Sequence, residues 1–340
     1  MAAPSIKTTV VGSYPVPDWL VAAPSEQALA DATRVVIATQ EAAGIDEVCD
    51  GELYRFDINH PETNGMIEYF IRPMGGVRSA LTFEEIQAFR DNPQMGFRVR
   101  PAGIVVGDID GGTLDLPSAA ARAQRLATRP LKFTLTGPHM LAKTLLDTHY
   151  GELPELAMAI ARALARQVAH IKADVVQIDE ANLPGHPQEW EWAAEAVNVV
   201  LDAVTTTPAI HLCFGNYGGQ SVQSGTWERL IDFLNALRVD HIVMEMAHRP
   251  AEEVAVFRAL RPEIGLGLGV VDVKRTEVES ADTIARSLER ATSILGPARV
   301  RYVHPDCGFW MLKRSIADAK IAALVEGRDL FEGRVGRVAS

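Results

Sequence analysis

Eight short apolar runs punctuate the chain, and longer stretches with apolar residues at helical spacing lie between them. The runs are TTVVGS (8–13), DEVCDGE (46–52), LKFTLTG (131–137), DVVQIDE (174–180), AIHLCFG (209–215), HIVMEMA (241–247), IGLGLGVVD (264–272) and VRYVHPD (300–306). Intervening segments such as EQALADATRVVIATQEAAG and SADTIARSLERATSIL carry the amphipathic helical pattern. Strands alternating with helices predict an α/β fold with a parallel sheet, and eight of them predict a (β/α)8 TIM barrel. A doubly wound open sheet is the competing arrangement, but no glycine-rich dinucleotide loop supports it. Residues 54–130 form a long insertion between strands 2 and 3, with RFDINHPETNGMIEYFI and RVRPAGIVVGDI predicting a helix-and-hairpin excursion over the barrel mouth. Without repeats or low-complexity linkers, residues 1–340 are expected to form one domain with 54–130 as an elaborated rim.

The polar residues change the picture. Barrel chemistry sits at the C-terminal ends of the strands, and ionisable or nucleophilic residues recur there: Ser13, Asp50, Glu52, Asp179, Glu180, His211, Cys213, Glu245, Asp272, Lys274 and Cys307. Buried strands favour Val, Ile and Leu, and an ionisable group among them is costly unless paired or metal-bound. His211 and Cys213 are two apart on one strand and share a face. With Glu245 and Cys307 on neighbouring strand ends they make a reasonable tetrahedral Zn²⁺ set of one nitrogen, two sulfurs and one oxygen. The bland alternative for His211 and Cys213 alone is a satisfied core histidine beside an apolar cysteine. His304, three residues before Cys307, lies on the opposite strand face and is expected to be structural. Cys49 is expected to be a buried strand cysteine, and His60 and His139 solvated loop histidines near the rim.

Composition narrows the function classes. Hydrophobic residues make up 47% of the 340, enough for a substantial core, and the net charge of −11 offers no footprint for nucleic acid or anionic membrane. Three cysteines argue against a disulfide framework and for a reducing, cytoplasmic setting. The N-terminus lacks a signal-peptide pattern, and the apolar helical segments carry arginines that exclude a membrane span.

The stretches TTVVGSYP, DGELYR, LTGPHML, VVQIDEA, HLCFGN, MEMA and HPDCG occur in the order of the C-terminal catalytic barrel of cobalamin-independent methionine synthases and their short single-barrel relatives, which the chain resembles over nearly its whole length. The resemblance implies zinc held by His211, Cys213, Glu245 and Cys307, the same set as the residues themselves suggest. It further implies that Ser13, Glu52 and Asp179 hold an amino acid substrate, the serine at its carboxylate and the two acids at its ammonium. The implied reaction is methyl transfer to homocysteine thiolate. Three departures bear on the donor. The long synthases carry an additional N-terminal barrel that helps hold folate, and one barrel is expected to fill this chain. The family's DIHS reads DVKR here, placing Lys274, beside Asp272, where a histidine protonates the departing folate. QIDEP reads QIDEAN. Folate, a methyl-corrinoid and an epoxide therefore all stand as donor candidates. The epoxide branch would resemble epoxyalkane:coenzyme M transferase, with Lys274 at the developing alkoxide. A third class is a methyl-handling partner subunit, which would bind zinc and thiol but need a corrinoid protein to turn over. A homo-oligomer is a further partner expectation. A uroporphyrinogen decarboxylase-like enzyme shares the barrel but needs no thiolate metal site.

Overall fold

The computed structural model describes residues 5–57, 60, 63–91, 98–216, 220–221 and 223–334. Ten strands occur among them: β1 (Lys7–Thr8), β2 (Gly75–Arg78), β3 (Ile104–Asp110), β4 (Lys132–Thr136), β5 (Leu146–Asp147), β6 (Val175–Asp179), β7 (Thr207–Leu212), β8 (His241–Met244), β9 (Gly265–Val271) and β10 (Val300–Pro305). Seven form one parallel sheet in the order β1-β10-β9-β8-β7-β6-β4. The sheet curls until its two edges are linked through one short segment: Thr9 bridges Glu47, and Val48 bridges Leu131, just ahead of β4.

Side-chain alternation explains why these runs are strands. On β4, Phe133 and Leu135 alternate with Lys132, Thr134 and Thr136, all buried. The polar row faces the inside of the curl, because the Gln177 amide of β6 crosses it to donate to the Val11 carbonyl at 3.0 Å. The apolar row packs under the outer helices. Those helices obey ordinary end rules. Ser25 caps Glu26–Ala43 by accepting from the Ala28 N–H, and Gly44, at φ 95°, ends it; Ser280 caps Ala281–Leu295 through Thr283.

Two expected strands are shorter than their apolar runs. The first is regular only over Lys7–Thr8, and residues 46–52 pair through isolated bridges at Glu47, Val48 and Gly51. The chain there turns sharply, with Glu52 at φ 58°, a left-handed conformation that cannot continue a strand. Between Gly51 and β4 the chain builds short helices and the antiparallel pair β2–β3, which β5 extends into a separate three-stranded sheet. Parts of the 54–130 excursion lie outside the described residues. No described helix is long and apolar enough to cross a membrane.

Candidate active site

β7 carries His211 into the interior, 2% exposed. Its Nδ1 lies 3.1 Å from the Val243 carbonyl. A carbonyl only accepts, so Nδ1 carries the hydrogen and Nε2 points elsewhere. That Nε2 is buried and has no hydrogen-bond partner. Just past the strand end, the Cys213 Sγ stands 3.8 Å from the Cys307 Sγ, and donor atoms of all three residues lie within 4.8 Å of one another. A disulfide needs about 2.05 Å between sulfurs. Two sulfurs on one tetrahedral zinc, each at about 2.3 Å, would be about 3.8 Å apart. The orphaned imidazole nitrogen and the sulfur spacing therefore both fit a soft divalent metal. The hydrogen bond between the thiols pushes Cys307 well below the usual thiol range, helped by His211 against burial. The same bond and burial push Cys213 well up.

Glu245, the residue after β8, stands outside this three-donor cluster. Its Oε2 accepts from the Phe214 N–H at 3.2 Å and lies 3.1 Å from the Lys274 Nζ. Both side chains are almost wholly buried, so Lys274 turns into the site and not toward solvent. The ammonium is close enough for an ion pair but lacks hydrogen-bond alignment, which leaves its N–H groups available. Burial works against the charge of Lys274, yet Glu245 and Asp306 outweigh it and raise its pKa. Asp306 in turn accepts from the N–H groups of Met246, Ala247 and His248, fixing the loop that follows Glu245. Asp272 accepts from the Lys274 N–H at 2.8 Å, and its other oxygen lies 3.4 Å from the His248 ring.

The first two strand ends form a second wall. Ser13 bridges Gly51 and its carbonyl accepts from the Phe309 N–H at 2.8 Å, tying the first strand end to the Cys307 loop. A Cβ on Gly308 would fall 1.9 Å from the Ser13 Oγ, so only glycine leaves that hydroxyl its place. Glu52 pairs with the buried Arg55 at 3.2 Å and accepts from the Thr134 hydroxyl at 2.5 Å. Asp179 accepts from the Gln177 amide at 2.7 Å. Burial pushes Asp179 up to about 7, His211 opposes and Glu52 adds repulsion. Its neighbour Glu180 goes elsewhere, accepting from the backbone N–H groups of His139 and Met140 at 2.9 Å each. Asp50 is used internally, taking the Glu52 N–H at 2.9 Å.

Several expectations change here. His139 is not a solvated loop residue: it is fully buried on the helix Pro138–Lys143, and its Nε2 lies 2.7 Å from Glu189. Two acids 41 and 50 positions away supply its partners, and local sequence does not reveal them. Arg55 went unread as a site residue, although its place three after Glu52 in ELYR is the signal. His304 and Cys49 are buried and stand outside the sulfur cluster. His60 is exposed, between segments outside the described residues.

Residues 6–328 match the family described as the cobalamin-independent synthase catalytic domain. The chain belongs to this family. It is accordingly an enzyme, a methyltransferase of the cobalamin-independent type. A methionine synthase of Sulfurisphaera tokodaii is 28% identical over 340 residues, covering 95% of this chain and 92% of its own. One from Thermococcus kodakarensis is 27% identical over 99% of this chain and 96% of its own. Among solved structures, a B12-independent methionine synthase from Shewanella sp. W3-18-1, in complex with selenomethionine, superposes with a TM-score of 0.80 at 23% identity, over 97% of this chain and 99% of that one. That likeness is one of fold, a TIM barrel-like architecture.

Proposed function

We propose that the enzyme transfers a methyl group to the thiol of homocysteine at a zinc ion held by His211, Cys213 and Cys307, with Glu245 as the fourth, exchangeable ligand. The observation that carries the reading is the three-donor cluster: an imidazole nitrogen without a partner beside two sulfurs at 3.8 Å. Zinc there supplies a thiolate at neutral pH from a thiol whose ordinary pKa is about 8.5. The chain does the rest. Asp179 and Glu52 receive the substrate ammonium, and the Ser13 hydroxyl, kept clear by Gly308, receives the carboxylate. Arg55 holds Glu52 in place. Lys274, with Asp272 bracing its loop, presents an ammonium where negative charge develops on the leaving group and can return a proton to it.

The methyl donor belongs above this site, approaching over the segment that follows Glu52. An open cleft of about 340 Å³ lined by Tyr54, Arg55, Phe56, Tyr69 and Arg72 begins there. It shares Arg55 with the substrate wall, so a donor bound in it would reach the enzyme next to Glu52. A second reading, alkylation of a different thiol by an epoxide, rests on Lys274, because a buried ammonium suits a developing alkoxide.

The deciding experiment gives zinc-loaded enzyme L-homocysteine with methyl-folate, a methyl-corrinoid protein, or methylcobalamin, and coenzyme M with a short epoxide. Methionine formation lost in Cys307→Ser supports the proposal. A thioether from coenzyme M with no methionine from any donor would replace it with the second reading.

A further inference from the structure

Resting on the zinc–thiol reading, the geometry points to Lys274 as a positioning residue that makes Glu245 the exchangeable member of the donor set. In the fold, His211, Cys213 and Cys307 already converge, and Glu245 does not join them. Its carboxylate has somewhere else to be: Lys274 at 3.1 Å and the Phe214 N–H at 3.2 Å both hold Oε2. A buried carboxylate has a steep desolvation cost, so a ligand can leave a metal only if a comparable partner receives it. Lys274 is that partner. Its side chain is 3% exposed, and the Glu245 side chain is 1% exposed, so water does not compete for either.

Both members of the pair are supported from behind. Asp306 is anchored by three backbone N–H groups on the loop that follows Glu245, and Asp272 fixes the Lys274 backbone through its N–H. Both ends of the Lys274–Glu245 pair therefore sit on braced loops. The Cys213 and Cys307 sulfurs face each other and the imidazole, whereas the Glu245 carboxylate lies against the Lys274 ammonium. The chain thereby leaves one position in the set open to an incoming thiol without loosening the other three. Lys274 does this through Glu245, so no bond-making step is assigned to it here.

The test compares zinc-loaded wild type, Lys274→Met and Lys274→Arg by zinc-edge X-ray absorption during an L-homocysteine titration, with zinc affinity measured by chelator competition. Wild type is expected to pass from two sulfurs per zinc to three. Lys274→Met, whose released Glu245 stays on the metal, is expected to bind resting zinc at least as tightly and to need at least tenfold more homocysteine for the third sulfur. Lys274→Arg is expected to restore most of the wild-type response. A Lys274→Met protein that gains its third sulfur at the wild-type concentration overturns the role of Lys274 and leaves the zinc site standing. A wild type that binds no zinc, or never gains a third sulfur, overturns the zinc–thiol reading and this inference with it.

Discussion

Asp179 and Glu180 are neighbours at the end of β6, and they serve opposite kinds of polar cluster. Glu180 belongs to a closed one. It caps the helix Pro138–Lys143 through two N–H groups, while Glu189 takes both Lys143, at 2.7 Å, and His139. Asp179 belongs to an open one, where the His211 Nε2 and two sulfurs face a common space and the Lys274 ammonium keeps unaligned donors. Both clusters are buried and rich in charge. The first offers each carboxylate a protein donor and leaves a lone unpartnered nitrogen, His139 Nδ1, 3.7 Å from Glu180, whereas the second brings an unpartnered imidazole nitrogen together with two sulfurs. Buried charge alone thus marks scaffold as readily as site; convergence of unpartnered atoms is the better sign.

That contrast can be broken from either side. The largest effect is expected at the open cluster. Structural zinc sites contribute roughly 10–16 kcal/mol over four ligands, so losing one costs roughly 2.5–4 kcal/mol, or about two to three orders of magnitude in affinity. Cys213→Ser should lose zinc affinity by that factor in chelator competition, while the metal-free protein unfolds at the same urea midpoint as the wild type. If apo stability collapses as well, the sulfur is scaffold after all. Next comes Arg55→Met, which strands the Glu52 carboxylate in a buried place. It should lower stability by roughly 3 kcal/mol in urea unfolding, and an unchanged midpoint would show that Glu52 does not depend on the pair.

Glu189→Gln tests the closed cluster. Partial burial favours the neutral acid, but hydrogen bonds from His139 and Lys143 override it and bring Glu189 down to about 2. Its unfolded pKa is about 4.3. A depressed folded pKa means stability that is present above the unfolded value and is lost as pH falls through the folded one. The substitution should therefore cost roughly 1–3 kcal/mol at pH 7, and the gap to wild type should close as the pH drops from about 4.3 toward 2. A pH-independent difference would sink the ion-pair account. The smallest effect is expected for Gly308→Ala, where the new methyl collides with the Ser13 hydroxyl. Stability should fall by about 1 kcal/mol, with KM for the amino acid rising more than kcat falls. An unchanged KM would remove Ser13 from the substrate wall.

The sequence carried the sulfur–imidazole set because strand geometry places residues two apart on one face, and two cysteines at strand ends are hard to explain by packing. It carried the parallel sheet because short strand-like runs alternate with amphipathic helical stretches along the chain. It did not carry the partners. Lys274 meets Glu245 across two strand-end loops, His139 meets Glu180 and Glu189 41 and 50 positions away, and Arg55 reaches the Thr134 backbone 79 positions away. Such pairings are set by which strand ends the curl of the sheet brings together, and no local pattern encodes them. The shortened second strand has a similar origin: its apolar run signals burial, while the left-handed Gly51 and Glu52 break the ladder.

The central claim is that the open cluster binds zinc through two sulfurs and an imidazole. Zinc-edge X-ray absorption on the purified resting enzyme tests it most directly. The account predicts one zinc per chain with two sulfurs at about 2.3 Å and the remaining donors nitrogen or oxygen at about 2.0–2.2 Å, and the loss of one sulfur in Cys307→Ser. A zinc ion surrounded only by nitrogen and oxygen, or no tightly bound zinc, would contradict it.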